Sequence, residues 1–315
     1  MFDIYNNKKV LITGHTGFKG SWLTLWLLKN NASIIGCSLE PKNKNDNFAL
    51  LNISTKIDDC RVDIRDYKKI DNLFNEKKPE FVFHLAAQPL VLDSYSDPLL
   101  TFESNTQGTL NVLESFRNSK TAKYLIIATT DKVYQNHDQN RPFNEDDALG
   151  GFDPYSSSKA VSELIVQSYY DSFFKNTSKK VVTVRAGNVI GGGDWSDNRI
   201  VPDCIKAIEN RNKIIIRNPD AVRPWQHVLD PIGGYLLLGE KMISSNIEKG
   251  AWNFGPNDSE QISVLEMVKQ IIKYYGKGEY KILNTSNKLK ESKFLSLDVT
   301  KANQELGWQS VFNFN

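Results

Sequence analysis

Between Lys8 and Gly150 the sequence alternates short runs of branched apolar residues with longer segments in which apolar residues recur at helical spacing. Such alternation is typical of a parallel β-sheet whose strands are joined by crossover helices. We therefore predict an α/β fold built on a doubly wound parallel sheet. The predicted strands cover residues 9–12, 32–37, 56–62, 81–85, 124–128 and 181–184, with helices over 67–78 and from about 155 onward.

The composition excludes several classes of protein. The chain has 315 residues, 40% hydrophobic, and a formal net charge of +2 without a long basic tract, which indicates a globular protein that does not bind nucleic acid. No apolar run approaches the roughly 20 residues of a membrane span, and residues 1–10 lack a signal-peptide core, so we expect a cytoplasmic protein without a membrane partner. The cysteine and histidine spacings match no metal site, so we expect no metal and reduced thiols at Cys37, Cys60 and Cys204.

A glycine-rich segment with the spacing GxxGxxG follows the first predicted strand and opens the first predicted helix. Glycine lets the backbone approach a diphosphate closely, and the N–H groups at a helix start bind its negative charge. A Walker phosphate loop requires the order Gly-Lys-Ser, whereas the order here is Lys-Gly-Ser. Although an ordinary turn can also contain such glycines, the context predicts a dinucleotide-binding loop formed by Gly14, Thr16, Gly17, Phe18, Lys19 and Gly20.

Further cofactor contacts are expected where the next strands end. Ser38 stands where an aspartate commonly binds the adenosine ribose, Asp63 and Ile64 follow the third strand, and Leu85, Ala86 and Ala87 follow the fourth. The two alanines would let a flat ring or a ribose pack closely. Glu40 would repel a 2′-phosphate and Lys42 would attract one, so these residues leave NAD and NADP open.

The pattern YxxxK at Tyr155 and Lys159 places a phenol and an ammonium group one helical turn apart. Lys159 can then favour the ionised phenol, which can take a proton from a sugar hydroxyl while a hydride leaves for nicotinamide. Such a pair alone is more often a surface pair than a catalytic site. Here, however, Thr130, Asp131 and Lys132 follow the fifth strand at the same predicted sheet edge, so the motifs together predict a nicotinamide-dependent active site.

Longer stretches carry a resemblance to a known family. Residues 13–23, 86–91, 185–195, 223–228 and 252–256 resemble the extended short-chain dehydrogenase/reductase family and, within it, the nucleotide-sugar 4,6-dehydratases, particularly those that act on CDP-glucose. The resemblance implies a Rossmann-type sheet, a nucleotide-sugar substrate and an NAD (alternatively NADP) cofactor that is regenerated within one turnover. It also implies a homodimer or higher homo-oligomer that associates through the helices around 99–116 and 155–170.

The resemblance also implies a role for each catalytic residue. Thr130 would hydrogen-bond the sugar hydroxyl, Tyr155 would be the base of the oxidation step, and Lys159 would position the nicotinamide ribose and lower the pKa of the tyrosine. Lys132 would remove the C5 proton while Asp131 protonates the departing C6 hydroxyl. Epimerases of the same fold lack this acidic and basic pair.

Four residues are the substrate-binding candidates. Arginine offers fixed, paired donors to phosphate oxygens, which favours Arg199 and Arg223, together with Asn188, as ligands of the substrate diphosphate. A surface salt bridge is the alternative for either arginine. Gln88 lies in one of the resembling stretches and is expected to contact the substrate.

The regular alternation ends after Gly187, where glycines and prolines punctuate short elements. We expect residues 1–186, with parts of 224–250, to form the cofactor-binding domain, and residues 187–315 to form mainly a smaller, interleaved substrate-binding lobe. Leu92 and Asp93 stand where the resembling dehydratases usually carry arginine, which leaves the hexose open. Relatives continue beyond Leu306-Gly307-Trp308 into a further helix, so we expect a short variant or a trimmed chain.

The sequence therefore predicts an enzyme, a hydro-lyase that converts CDP-glucose to CDP-4-keto-6-deoxyglucose for surface-polysaccharide synthesis. The alternatives are the same reaction on a GDP-, UDP- or dTDP-linked glucose or N-acetylglucosamine, a nucleotide-sugar C4 epimerase, and a non-catalytic NAD-binding protein. The last alternative is disfavoured because Tyr155 and Lys159 are both present.

Overall fold

A seven-stranded parallel sheet forms the centre of the structure, a computed structural model that describes residues 2–41, 43–138, 141–245, 247–256, 262–283 and 294–314. The strand order is β11-β6-β5-β4-β1-β2-β3, which confirms the predicted doubly wound α/β fold. The strands are β1 Lys9–Thr13, β2 Ser33–Ser38, β3 Asp58–Arg61, β4 Phe81–His84, β5 Tyr124–Ala128, β6 Lys180–Ala186 and β11 Ala251–Phe254.

The predicted inner strands agree with the observed ones because parallel strands covered on both faces are continuously apolar, whereas the edge strand β3 is largely polar and only partly buried. β4 is buried along its whole length, and β1 is buried after Lys9. After β3 the chain crosses back to pair β4 with β1, so the order reverses between these two strands. Ligands of doubly wound folds bind at the carboxyl ends of the strands beside such a reversal.

Helices cover both faces of the sheet. α1 and α9 contribute to one apolar core, whereas α3 and α6 contribute to the core on the opposite face. Within the described ranges, no helix combines the length and apolar character that crossing a membrane requires. The helices are α1 Phe18–Lys29, α2 Asn47–Leu50, α3 Tyr67–Lys77, α4 Val91–Ser96, α5 Pro98–Phe102, α6 Gly108–Asn118, α7 Pro154–Tyr169, α8 Ile200–Glu209, α9 Leu229–Ser244 and α10 Val264–Tyr275.

A π-helical turn, Glu103–Gln107, joins α5 and α6 into one continuous helix. A second π-helical turn, Tyr170–Phe174, follows the end of α7. π-helical turns inside α-helices occur frequently at functional sites. The first of these turns packs against α7, the helix that carries the YxxxK pattern. The sequence did not predict either turn.

After Ala186 the chain leaves the main sheet for small elements with a core of their own. α8 and α10 pack there around residues such as Cys204 and Val268. The chain then returns to the main sheet with α9 and with β11, a strand that the sequence did not predict. The small paired strands are β7 Val189–Ile190, β8 Ile214–Ile216, β9 Val222–Arg223, β10 Gln226–His227, β12 Ile262–Ser263 and β13 Tyr280–Ile282.

Candidate active site

The glycine-rich segment forms the turn between β1 and α1, at the point where the strand order reverses. Gly14 has a φ of +78°, and an added Cβ there would lie 2.7 Å from the backbone nitrogen of Ala86. An added Cβ at Gly20 would lie 2.0 Å from the carbonyl oxygen of Gly14. Gly17, the N-cap of α1, has no side chain to occupy the N–H groups of the first turn. These features form a backbone cradle that fits a diphosphate.

The end of β2 lies against this cradle. The Thr16 hydroxyl oxygen is 2.7 Å from the Ser38 hydroxyl oxygen, which ties the glycine segment to the predicted ribose position. Arg61, the partner of Ser38 in the sheet register, is paired with Glu40 at 3.2 Å and with Asp59 at 2.8 Å. The nearby guanidinium is therefore already neutralised by carboxylates. Lys42, the candidate attractor of a 2′-phosphate, lies outside the described residues.

Asp63 and Ile64 follow β3 and differ in accessibility. The Asp63 carboxylate accepts a 2.6 Å contact from the Arg65 guanidinium, whose hydrogen bonds lower the pKa of Asp63. Ile64 is buried, and an added Cβ at Gly108 would lie 2.5 Å from its Cδ1 atom. Asp63 can therefore offer a charged carboxylate to a ligand, whereas Ile64 packs tightly against α6.

The segment after β4 is fixed by hydrogen bonds. The Leu85 N–H donates to the Thr13 carbonyl at 3.1 Å, and the Ala86 N–H donates to the Thr13 hydroxyl at 3.2 Å. Ala87 follows at the same sheet edge. This segment therefore lies directly beside Gly14, opposite the end of β1.

Thr130, Asp131 and Lys132 lie at the carboxyl end of β5. Thr130 caps a short 3₁₀ turn, Asp131–Val133, and its hydroxyl donates to Asp131 Oδ1 at 3.0 Å. Lys132 Nζ lies 3.7 Å from the same Asp131 oxygen. Asp131 is buried, and its other oxygen, Oδ2, has no hydrogen-bond partner among the described residues. A buried oxygen of this kind is available to a hydroxyl group of a bound molecule.

α7 presents Tyr155 and Lys159 toward this group. The helix begins at Pro154, and the Asp153 carboxylate caps it by accepting the Ser156 N–H at 2.9 Å. Both Tyr155 and Lys159 are buried, and Lys159 Nζ donates to the Ala128 carbonyl at 2.8 Å. The two side chains that the YxxxK pattern singled out therefore share the carboxyl edge of the sheet with Thr130.

The buried site shifts the pKa values of both groups. Burial raises the pKa of Tyr155 to about 12, with the hydrogen bond to Thr130 acting in the opposite direction. Burial lowers the pKa of Lys159 to about 8, opposed by the negative charge of Glu163. Near neutral pH the lysine is therefore the charged member of the pair, as a group that stabilises a phenolate must be.

Lys19, in the glycine-rich segment, interacts electrostatically with charged residues of the smaller lobe, Asp194 and Arg199. Burial and the positive charge of Arg199 together lower the pKa of Lys19 to about 8, against the opposing negative charge of Asp131. The side chain is therefore close enough to interact with a group from each part of the cleft. Trp22, one turn along α1, donates its indole N–H to the Gly192 carbonyl at 3.0 Å and ties the same elements together.

The substrate-binding candidates are in different environments. Arg199 pairs with Asp194 at 2.7 Å, and Arg223 is buried with its Nη1 donating to the Val222 carbonyl at 2.8 Å. Asn188 accepts the Gln226 N–H at 3.1 Å through its backbone carbonyl. All three residues belong to the part of the chain that follows β6, and their contact with the substrate diphosphate stays a prediction.

Gln88 is held within its own segment. Its side-chain NH₂ donates to the Leu90 carbonyl at 3.0 Å and to the Thr101 hydroxyl at 2.9 Å, while its Oε1 accepts the Leu90 N–H at 2.6 Å. These bonds use the side chain to shape the loop between β4 and α4. Contact between Gln88 and the substrate stays a prediction.

A sequence model described as GDP-mannose 4,6 dehydratase matches residues 11–315, almost the whole chain. The protein belongs to the GDP-mannose 4,6-dehydratase family. The chain is 39% identical over 312 residues to the CDP-glucose 4,6-dehydratase of Salmonella typhimurium, covering 97% of this chain and 87% of the relative. This similarity confirms the resemblance to nucleotide-sugar 4,6-dehydratases, a class of enzymes.

Solved structures share the fold of this dehydratase-family protein. The dTDP-glucose 4,6-dehydratase of Bacillus anthracis in complex with NAD has a TM-score of 0.83 at 22% identity, covering 98% of this chain and 93% of the other. The UDP-glucose 4-epimerase of Thermus thermophilus in complex with NAD has a TM-score of 0.84 at 25% identity, covering 97% and 95%. Dehydratases and epimerases therefore share this architecture, and the side chains at the site must distinguish them.

The structure of this dehydratase-family protein adds one buried residue that sequence reasoning missed. Asn105, in the first π-helical turn, donates through Nδ2 to the Ser158 hydroxyl at 2.9 Å and to the Gln88 carbonyl at 3.0 Å. Its Oδ1 accepts the Gln88 N–H at 2.8 Å. Asn105 thereby connects the YxxxK helix to the segment after β4. The signal in the sequence that could have identified Asn105 is a polar residue among the apolar residues of the predicted helix around 99–116.

Proposed function

We propose that this protein is an NAD-dependent nucleotide-sugar 4,6-dehydratase that converts CDP-glucose to CDP-4-keto-6-deoxyglucose. The observation that carries the proposal is the Asp131 and Lys132 pair beside Thr130, at the sheet edge that also holds Tyr155 and Lys159. The identity to a CDP-glucose 4,6-dehydratase supports the choice of substrate.

The residues present fit NAD. The backbone cradle of the glycine segment would hold its diphosphate, and Ser38, Asp63 and the small residues after β4 would hold its adenosine and ribose portions. Glu40, beside Ser38, favours NAD over NADP because its carboxylate would repel a 2′-phosphate. When bound, NAD supplies the acceptor for the C4 hydride and the source of the hydride that reaches C6, so that no external reductant is consumed.

Tyr155 and Thr130 act in the oxidation step. Thr130 hydrogen-bonds the C4 hydroxyl, and the Tyr155 phenolate takes its proton. Lys159, one turn along the same helix face, stabilises the phenolate through its positive charge, in addition to the Thr130 hydrogen bond that already opposes the effect of burial on the pKa of Tyr155. Lys159 would also hold the nicotinamide ribose of the cofactor.

Asp131 and Lys132 act in the elimination step. The 4-keto group makes the C5 proton acidic, Lys132 takes that proton, and Asp131 gives a proton to the departing C6 hydroxyl, which leaves as water. The separation of 3.7 Å between Lys132 Nζ and Asp131 Oδ1 places the base and the acid side by side at the site. Asp131 Oδ2, which no described residue hydrogen-bonds, is the oxygen available to the C6 hydroxyl.

The smaller lobe completes the site. Arg199, Arg223 and Asn188 bind the substrate diphosphate, with Arg199 exchanging its contact with Asp194 for phosphate oxygens. In this proposal residues 1–186 and parts of 224–250 bind the cofactor, and most of 187–315 binds the substrate. The enzyme works in the cytoplasm, and its product is used in surface-polysaccharide synthesis.

We also propose a homodimer. Apolar side chains are exposed along α5 and α7, among them Leu99 at 76% and Leu164 at 58% of full exposure. Such neighbouring apolar residues indicate an interaction surface. A second copy of the chain would bury both helices in a four-helix contact.

The proposal is tested by incubating the purified protein with CDP-, GDP-, UDP- and dTDP-glucose, and with UDP-N-acetylglucosamine, in the presence of NAD. We expect CDP-glucose to lose one molecule of water and to give a 4-keto-6-deoxy product, detected by mass spectrometry and NMR. Water loss from another nucleotide sugar alone would replace CDP-glucose as the substrate. A C4 epimer without water loss would select the epimerase, and no product from any sugar would overturn the dehydratase proposal.

A further inference from the structure

A buried ion pair lies beneath the helix that carries Tyr155 and Lys159. Glu163, one helical turn after Lys159, is paired with Arg185 on β6, with Nε 2.9 Å from Oε1 and Nη2 3.1 Å from Oε2. The side chains of Arg185 and Glu163 are only 4% and 5% exposed. None of the steps proposed above uses this pair.

Hydroxyl groups from the central sheet complete the coordination of the carboxylate. Thr129 on the β5 side donates to Glu163 Oε1 at 2.6 Å, and Thr183 on β6 donates to Oε2 at 2.6 Å. Burial alone would raise the pKa of Glu163, but Arg185 and these hydroxyls lower it below its ordinary value. Glu163 is therefore ionised at neutral pH.

Arg185 is held from its other side as well. Its Nη1 donates to the Tyr134 hydroxyl at 2.9 Å and to the Glu145 carbonyl at 3.1 Å. Tyr134 in turn donates to Asn253 Oδ1 at 2.7 Å, on the unpredicted strand β11. The carboxylate of Glu163 is thus fixed by contacts that reach from α7 across β5 and β6 to β11.

Stability alone does not explain a pair of this kind, because apolar residues of similar volume are often at least as stabilising as a buried ion pair. The position of Glu163 gives a functional reason for the pair, because Glu163 lies four residues after Lys159 on α7 and shares its helix face. The Lys159 ammonium is buried and donates to a backbone carbonyl, which is uncharged. Burial lowers the pKa of Lys159, and the Glu163 charge raises it.

Other groups also surround Lys159 and must be considered in any pH dependence. His84 on β4 is neutral, since burial and the Lys159 charge lower its pKa to about 3. Lys19 on α1 is an additional cation that interacts with Lys159. Tyr155 lies on the same helix, and the elements packed against that helix carry Asp131 and Lys132, in the turn after β5, and Arg185, on β6.

We propose that Glu163 is a positioning residue that keeps buried Lys159 charged, and that Arg185 holds the Glu163 carboxylate ionised and in place. The proposal deepens the proposed function, on which its kinetic consequence rests. A neutral Lys159 could not stabilise the Tyr155 phenolate, so loss of the Glu163 charge removes activity first at alkaline pH.

The direct test measures the titration of Lys159 without substrate or cofactor. Protein labelled with ¹³C at lysine Cε is titrated by NMR, and the Lys159 signal is assigned by its absence in a Lys159→Met variant. We expect Glu163→Gln to lower the Lys159 midpoint by about one pH unit or more. The control Glu114→Gln, which breaks a partly exposed pair with Arg117 at another helix, should leave it unchanged. An unchanged midpoint in Glu163→Gln would overturn the proposal.

A second variant covers the case in which Glu163→Gln does not fold because Arg185 is left buried without its partner. The double substitution Glu163→Gln with Arg185→Gln removes both charges together. Removing the Arg185 cation acts in the opposite direction, so the midpoint should fall by less than in Glu163→Gln but still below that of the wild type, because Glu163 is the group that raises the Lys159 pKa. A wild-type midpoint in the double variant contradicts the proposal.

The kinetic test separates this role from a purely structural one. In Glu163→Gln the alkaline limb of the kcat/KM profile should move to lower pH by the same amount as the NMR midpoint, whereas Glu163→Asp, which keeps the charge, should restore the limb. A lower kcat with an unmoved limb would indicate a structural role and overturn the proposal. If no sugar is turned over, the NMR titration still decides the inference independently of the dehydratase function.

Discussion

Lys132 Nζ lies 3.7 Å from Asp131 Oδ1 at the carboxyl end of β5, where the Thr130 hydroxyl also reaches the same carboxylate. The fold is shared with epimerases. Both reactions begin with the oxidation of a sugar hydroxyl. Only the dehydratase reaction then removes water, and that step needs an acid and a base side by side. In the proposed mechanism, the distinction between the two reactions therefore depends on this pair.

Replacing Lys132 by alanine should stop the reaction after the oxidation step. Without the base, the C5 proton is not removed, and overall turnover should fall by about 10²- to 10⁴-fold. The measurement is product formation together with exchange of the C5 hydrogen in deuterated water, which should disappear. Lys120→Ala, at an exposed position outside the cleft, is the matched control. Normal turnover in Lys132→Ala would remove Lys132 from the mechanism.

Replacing Asp131 by asparagine should leave the C5 exchange and stop water loss. The amide has nearly the shape of the carboxyl group but cannot protonate the departing C6 hydroxyl, so product formation should fall by about 10²- to 10⁴-fold. C5 exchange measured by NMR in the same sample distinguishes this variant from Lys132→Ala. If both variants lose exchange and product alike, the separate roles of the acid and the base are wrong.

Replacing Gly20 by alanine should weaken NAD binding, because the new methyl group would meet the Gly14 carbonyl oxygen at 2.0 Å and distort the cradle. We expect the dissociation constant for NAD, measured by calorimetry, to rise by about tenfold or more, equivalent to about 1.4 kcal/mol. Gly192→Ala is the matched control, because nothing lies within 4 Å of a Cβ added there. Equal affinities in the two variants would argue against the glycine segment as the diphosphate site.

His84 makes the unfolding free energy depend on pH. Its pKa is lowered to about 3 in the folded protein, mainly by burial, so between pH 6.5 and that value the unfolded chain binds a proton that the folded chain does not. Stability is therefore lost as pH falls, by up to about 2 kcal/mol between pH 6.5 and pH 5 from this residue. Urea unfolding at both pH values should show a smaller loss for His84→Gln than for the wild type. His137→Gln, at an exposed position, should retain the wild-type loss.

A charge at Leu164 should disrupt the proposed dimer. Leu164→Lys places an ammonium group on the exposed apolar face of α7 and should convert the dimer to a monomer in light-scattering measurements after size exclusion. Ile215→Lys, on the exposed side of β8 in the smaller lobe, should leave the mass unchanged. A monomeric wild type would contradict the dimer itself.

The sequence predicted the elements whose signal is local. Residues 124–128 were predicted and observed as a strand, because a strand buried on both faces is a continuous apolar run. The start of α7 was predicted within one residue, since the helix was expected from about 155 and begins at Pro154 with Asp153 as its N-cap. The catalytic candidates could be placed together because the carboxyl ends of parallel strands meet at one edge.

The features that sequence reasoning missed depend on distant contacts. β11 contains the polar Asn253, whose bonds to Tyr134 and to the Phe143 carbonyl are invisible in the local pattern. The π-helical turn at Asn105 depends on Ser158, 53 residues away. The pairing of Glu163 with Arg185 required knowing that α7 packs over β6.

The most direct test of the account uses CDP-glucose carrying deuterium at C4, with NAD and the wild-type protein. We predict a dehydrated product in which that deuterium is found at C6, because the hydride removed from C4 is returned to C6 of the same molecule. Deuterium retained at C4, found in a C4 epimer, or lost to added external cofactor would contradict the dehydratase mechanism.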